Sequence, residues 1–300
     1  MTRNLLRHPA TKSAEPRPCL SILTGSNPAD AESAAHFLED KGFPTPLHTV
    51  PYEEVPRSRG YVILFRGNLL DLGADCDLVL DEEEYAFIAV FPSAAHRVPE
   101  RWLAKENVYL WTYTEPDDLC ARCLLAAMVL KGRSDIPAGV SATCDPDTLF
   151  YAARQYDDGL IVEADPATAA SLTELAAERG SVRALKFLGD KLLAEGRADE
   201  ALATYLRIEQ PDGKNLGRNF CHKVLKMIPA ENAEARFRWL GYAADCGDTD
   251  ALLQLRDCYA KGIGTAPDAD KARAIDEYYH SAVDVEAWQE FYERYHSTNK

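Results

Sequence analysis

The chain is short of positive charge, of long apolar runs and of the compact motifs by which catalytic chemistry is usually recognised. Its 33 Lys+Arg stand against 48 Asp+Glu, for a net charge of −15. A surface that acidic argues against phosphate backbones and anionic lipid as partners, so neither nucleic acid nor a membrane is expected. The longest apolar runs, Tyr61–Phe65 and Cys123–Leu130, fall far short of the roughly 20 residues that span a bilayer. There is no G-x-G-x-x-G and no G-x-x-x-x-G-K-[ST], hence no sequence signal for a nucleotide held by a glycine-rich loop. Cys120-x-x-Cys123 has no second C-x-x-C and no H-x-x-x-H to complete four ligands, so no metal site is expected. It also follows the last strand of its half rather than the first, where a redox motif is wanted, and reads as a pair of structural thiols. The seven histidines are dispersed, and no cofactor is expected.

The eight cysteines are scattered through a chain that is 46% apolar. A core of that size needs no disulfides, which points to a reducing cytoplasm. Residues 1–17 carry Arg3, Arg7, Lys12 and Arg17 without an apolar core segment. They read as a loose basic arm rather than a secretory signal, with a transit-type peptide as the alternative.

Three hundred residues suffice for one large domain or two ordinary ones. Residues 18–144 alternate β-rich runs (19–24, 47–50, 61–66, 85–91 and 108–113) with amphipathic stretches at 29–41 and from Glu115 to about Lys131. Strand followed by helix followed by strand implies right-handed crossovers and a parallel sheet. The expectation is a five-stranded α/β domain of flavodoxin-like kind. Gly67–Glu84 fits a short helix and a hairpin equally well. Ligands of such folds sit at the C-terminal strand edge, which makes Gly25, Ser26, Gly67 and Ser93 the candidate binding positions. The acidic run 81–84 does not follow a calcium-loop spacing.

Beyond Asp145 the strand signal ends and alanine-rich helical pairs begin. Tyr156, Gly159, Asp165 and Ala169 match Tyr259, Gly262, Asp268 and Ala272 at an offset of 103. Ala176–Gly180 matches Ala243–Gly247, and Ala184-Leu185 matches Ala251-Leu252, at an offset of 67. One period of about 34 residues explains both offsets. Glycines at 159, 196 and 262 stand where a helix must end, Gly180, Gly247 and Gly264 are further structural positions of the repeat, and Asp165 and Asp268 stand where a helix starts. Four units over 145–283 are expected, the middle two being 184–195 with 198–209 and 216–227 with 234–245. Residues 284–300, with Trp288, Phe291, Tyr292 and Tyr295 at helical spacing, read as a capping helix and tail.

The stretch Ala251–Gly264, followed by Asp268, Lys271-Ala272 and Tyr278-Tyr279, resembles the Sel-one-like repeat. That family's pattern is an alanine–leucine helix ending Tyr-x-x-Gly-x-Gly, then Asp-x-x-Lys-Ala and an aromatic pair. The first unit resembles it with Ile161 in place of the second glycine. The resemblance implies an all-α solenoid that binds proteins or peptides.

In the N-terminal half, Phe87–Trp102 resembles a strand, serine and short helix of the Toll/interleukin-receptor (TIR) family. In that family's enzymes a glutamate acts on the ribose of NAD, and Glu100 is the one match. It precedes Trp102 where the family's glutamate follows its tryptophan, which implies a binding-only member. A phosphate-accepting receiver does not fit, because Thr24-Gly25, Arg66-Gly67 and Glu115-Pro116 stand where its acidic residues and Lys-Pro belong.

The function expected is therefore an interaction scaffold or adaptor rather than an enzyme, whose protein or peptide partner offers a basic contact surface. The alternatives are a TIR-like NAD hydrolase or nucleotide-binding domain regulated by the repeats, and an immunity- or inhibitor-type protein.

Overall fold

In the computed structural model the described residues are 19–23, 28–43, 45, 47–48, 60–65, 85–92, 108–113, 115–130, 133, 135–159, 161–210, 213 and 215–282. The chain divides into two compact units, 1–184 and 185–300.

The first unit contains five short strands, β1 (Cys19–Leu23), β2 (Leu47–His48), β3 (Gly60–Phe65), β4 (Tyr85–Pro92) and β5 (Val108–Tyr113). All are parallel, in the order β2-β1-β3-β4-β5. Helix α1 (Pro28–Asp40) buries Ala31, Ala34 and Leu38 and ends at Gly42, whose φ is 78°. The Tyr113 hydroxyl donates to Asp30 on this helix. Helix α2 (Pro116–Leu130) is apolar almost all round, with Leu119, Ala121 and every residue from Cys123 to Met128 buried. A helix with no polar face has to be covered on every side. Here α1, strands β1 and β5, and helix α4 (Pro146–Asp158) all pack on it, with the short α3 (Ile136–Thr143) beside it. Its one buried ion pair, Asp118–Arg122 at 2.8 Å, spans one turn at i,i+4.

The expected fold class, a five-stranded flavodoxin-like or TIR-like α/β domain followed by a solenoid, is corrected by these observations. Eleven helices dominate the described residues. A doubly wound or TIR-like domain needs helices on both faces of its sheet. Among the described residues only α1 and α2 lie on the strands, and they pack against each other. The helix after β5 is also continuous in packing with the helices that follow, so no separate α/β domain closes before α4. Segment 67–84 lies outside the described residues.

The remaining helices come in pairs: α4 with α5 (Pro166–Glu178), α6 (Val182–Ala194) with α7 (Ala198–Leu206), α8 (Arg218–Met227) with α9 (Ala233–Asp245), and α10 (Thr249–Lys261) with α11 (Ala269–Ala282). Three of their starts are capped alike. Asp145 caps α4 by accepting from the Thr148 N–H at 3.0 Å. Asp248 caps α10 by accepting from the Ala251 N–H at 2.9 Å, and the Ser181 hydroxyl takes the Ala184 N–H at 3.1 Å. Each of these bonds satisfies an amide left free at a helix start. The residues three beyond the caps, Thr148, Ala184 and Ala251, are all buried.

The helix ends match too. Ser181 N–H bonds Ala176 O and Gly180 N–H bonds Ala177 O, at 2.9 and 3.1 Å. At 67 residues further on, Asp248 N–H bonds Ala243 O and Gly247 N–H bonds Ala244 O, at 3.1 and 2.8 Å. This is the Schellman arrangement, which needs a left-handed residue. The φ angles of Gly180 and Gly247 are 91° and 80°.

Gly264 carries a second constraint. Its φ is 70°, and a Cβ built there lies 2.2 Å from the Ala233 carbonyl oxygen, so the turn after α10 rests directly on the start of α9. Gly247 has the same kind of backbone with open space around it. Gly247→Ala is therefore expected to cost about 1 kcal/mol from the left-handed backbone alone, and Gly264→Ala about 2–4 kcal/mol because a clash is added. Urea unfolding of the two variants measures the difference.

Candidate interaction surface

The turn that joins the two helices of a pair recurs between the first pair and the last. In the first pair Gly159 ends α4 with φ 63° and donates to Gln155 O, while the Asp165 N–H reaches back to Tyr156 O at 2.9 Å. In the last pair Gly262 ends α10 with φ 70° and donates to Cys258 O, and the Asp268 N–H reaches back to Tyr259 O at 2.8 Å. Asp165 then accepts from the Ala167 and Thr168 amides at 3.0 and 3.1 Å, and from the Thr168 hydroxyl at 2.6 Å. Asp268 accepts from the Lys271 amide at 3.0 Å. Ala169 and Ala272, one turn into the second helix, are both buried. Gly196, with φ 78°, closes α6 through Arg197 N–H to Leu192 O at 2.9 Å.

The first turn differs from the last at one position. Where Gly264 lets the last turn lie on α9, Ile161 occupies the equivalent place and is buried. Beside it opens a groove of about 500 Å³ lined by Val129, Ile136, Pro137, Tyr156, Ile161 and Val162, with Glu163, Ala164, Asp165 and Thr168 completing it. Its base is apolar. Glu163 and Asp165 are exposed, as are Asp157 and Asp158 at the end of α4. Burial, with the nearby Asp165 charge, pushes the Tyr156 hydroxyl up to about 12, so it is protonated at neutral pH. The groove offers apolar contact with the Glu163 and Asp165 carboxylates at its edge.

The second unit carries a polar and aromatic network. Tyr205, Phe220, Trp239 and Tyr242 contact edge to face in sequence, with centroids 5.2, 5.8 and 5.4 Å apart. Tyr205 fits because position 189 is glycine; a Cβ there would lie 2.2 Å from the ring. Its hydroxyl donates to Asp190, which also takes Lys223 Nζ at 2.5 Å. Lys186 and Lys223 lie over the Phe220 ring at 4.5 and 4.9 Å, a favourable placement for a cation. Burial alone would raise the Asp190 pKa, but the Lys223 and Tyr205 hydrogen bonds hold it below the ordinary value. Asp248 is 2% exposed and receives His222 Nε2 as well as its capping amide, with Arg218 at 3.6 Å. Its burial is likewise outweighed, first by the Ala251 amide and then by His222 and Arg218, and its pKa is lowered.

Glu100, Gly25, Ser26, Gly67 and Ser93 lie outside the described residues, as do the acidic run 81–84, the arm 1–17 and the tail 284–300. Cys120 and Cys123 sit within α2 rather than in a loop. Burial raises both thiols, Cys120 to about 12 and Cys123 further, the reverse of what a reactive pair requires. Among the described residues no group of three or more His, Cys, Asp or Glu is placed to hold a metal, and no helix is long and apolar enough to cross a membrane. The groove at Ile161 and the aromatic series were missed in sequence. Ile161 stood out only as a departure from the repeat pattern, and Tyr205 contacts Phe220 from a different helix.

The described residues beyond Asp145 form helices whose caps and turns recur. No protein-family model matches the chain, and no curated protein is similar to it. Among solved structures it is similar to a Sel1 repeat protein from Oxalobacter formigenes, with 19% identity over 57% of this chain and 72% of that one and a TM-score of 0.29. It is also similar to c5321, a protective antigen present in uropathogenic Escherichia coli strains displaying an SLR fold, with 20% identity over 51% of this chain, 32% of that one and a TM-score of 0.27. Superpositions that slight carry no weight here; the repeated caps and turns within the chain do. The TIR-like reading of the N-terminal half has no support.

Asp248 supplies the sharpest test of this packing. Asp248→Ala removes a cap worth about 1 kcal/mol and the acceptor of His222, for an expected loss of about 2 kcal/mol. Asp248→Asn keeps an acceptor and is expected to lose less. The folded pKa is lowered from 3.8, so the carboxylate's contribution is complete above that value and lost as pH falls through the folded one. Urea unfolding at pH about 6 and about 2 should show the gap between wild type and Asp248→Asn closing in acid.

Proposed function

We propose that this protein is an interaction scaffold whose helical pairs present a surface to a protein or peptide partner with a basic contact face, and that the pairs over 145–283 act as one repeat array. The observation that carries this reading is the recurrence of one helix–turn–helix geometry, with Asp165 bonded to Tyr156 as Asp268 is to Tyr259. Such pairs cannot bury their apolar faces singly and stack on neighbours, which leaves extended faces for binding. The groove beside Ile161 adds a place where the partner's apolar side chain enters, and the carboxylates around it favour neighbouring cations. The net charge of −15 acts in the same direction over longer range.

The test uses the full chain immobilised and exposed to a cell extract, beside a variant carrying Asp158→Lys and Glu163→Lys. Both positions are exposed, so the fold should persist by circular dichroism. The reading expects a protein retained by wild type, with recovery falling about tenfold or more in the variant and in raised salt. Undiminished recovery in the variant removes the basic-partner reading. Retention no better than on blank resin removes the scaffold.

A further inference from the structure

The chain is acidic, yet no Asp or Glu falls between Asp212 and Glu231, the stretch that holds α8. This helix buries Cys221, Val224 and Leu225. Arg218, His222 and Lys226 recur every fourth residue and so share one flank of it, with Lys223 beside them. The Arg218 side chain is 62% exposed, and Lys226 is exposed. Such a row works against the helix that bears it. Lys223 and Lys226, three residues apart, repel. Arg218 stands in the first turn, where the macrodipole disfavours a cation, and no side chain caps that start.

The neighbouring helices compensate only part of this charge. Asp190 of α6 takes Lys223 Nζ at 2.5 Å. Asp248 already serves the α10 cap and His222 Nε2, and it lies 3.6 Å from Arg218. Lys226 pairs with no carboxylate among the described residues. Lys186 Nζ, over the Phe220 ring at 4.5 Å, extends the positive field onto α6. Arg218 and Lys226 therefore keep charge to offer at the two ends of the row, with Lys223 between them.

The spacing of the row selects the kind of anion. Four residues of α-helix rise about 6 Å, and alternate side chains of an extended chain stand about 6.6–6.8 Å apart on one face. We propose that this flank of α8 is a second interaction surface, opposite in sign to the groove at Ile161, and that it binds an extended acidic peptide with Asp or Glu at alternate positions. Carboxylates so spaced keep step with Arg218, Lys223 and Lys226. A nucleic-acid strand fits less well, because every further phosphate meets a chain of net charge −15. A short peptide brings a few charges that act within the screening length of about 8 Å at physiological salt.

The test is fluorescence anisotropy of a labelled peptide of four Glu-Thr repeats titrated with the full chain. The proposal expects saturable binding with a Kd below about 100 μM that weakens in raised salt. The pair of substitutions Arg218→Glu and Lys226→Glu should weaken it about tenfold or more. Lys226→Glu alone leaves Asp248 and its partners in place and should weaken it about threefold, so the test survives if the double variant loses its circular dichroism signal. A peptide of four Gln-Thr repeats should not bind. Absence of saturable binding, or an unchanged Kd in Lys226→Glu, overturns the proposal. So does equal affinity for the Gln-Thr peptide or for a peptide with its four Glu in one block. Tighter binding of an oligothymidylate of eight nucleotides overturns it in favour of a nucleic-acid strand. The probe is opposite in charge to the partner proposed for the groove, so the outcome does not depend on that reading.

Discussion

Every junction between two helices leaves amides and carbonyls without intrahelical partners, and a chain built of short helices meets that demand again and again. In the turns after α4 and α10 it is met locally and in the same way. A glycine in the left-handed region closes one helix, a short oxygen-bearing side chain opens the next, and between them an amide reaches back to the preceding helix. Asp165 to Tyr156 and Asp268 to Tyr259 are the same bond in two places. These two turns therefore satisfy their own backbone groups before any neighbour packs on them. Small buried residues at the start of each second helix, Ala169 and Ala272, then allow close approach.

The packing in each unit follows from which faces those pairs leave apolar. In the first unit α2 has no polar face, and sheet, α1 and α4 all cover it. In the second unit the aromatic series from Tyr205 to Tyr242 takes the same central place, and Gly189 makes room for its first member. Polar groups line its edge: Asp190 holds Tyr205 and Lys223, and Asp248 holds His222 while capping α10. A carboxylate that both caps a helix and anchors a cation stabilises two elements at once.

The turns were legible because backbone requirements write themselves into residue type. Positive φ selects glycine and a free helix start selects aspartate, so the offsets of 103 and 67 could be read from letters alone. The α/β reading of the N-terminal half went astray because strand runs were taken to imply a complete doubly wound domain. The all-round apolar character of α2, visible in Leu119–Met128, was the signal that helices continue on its far side. The groove depended on what one isoleucine does in space at a position where the last unit has glycine.

The described residues of this acidic chain combine internally satisfied turns with an apolar groove. Its groove and networks offer apolar contact and charge, and its raised thiol and phenol groups at Cys120, Cys123 and Tyr156 remain protonated at neutral pH. The account stands most directly on the equivalence of the first and last turns. Amide hydrogen exchange of the full chain, read at Asp165 and Asp268, tests it. Both N–H groups should exchange at least about 100-fold more slowly than in an unstructured peptide. Exchange at the unstructured rate at either residue would contradict the repeat.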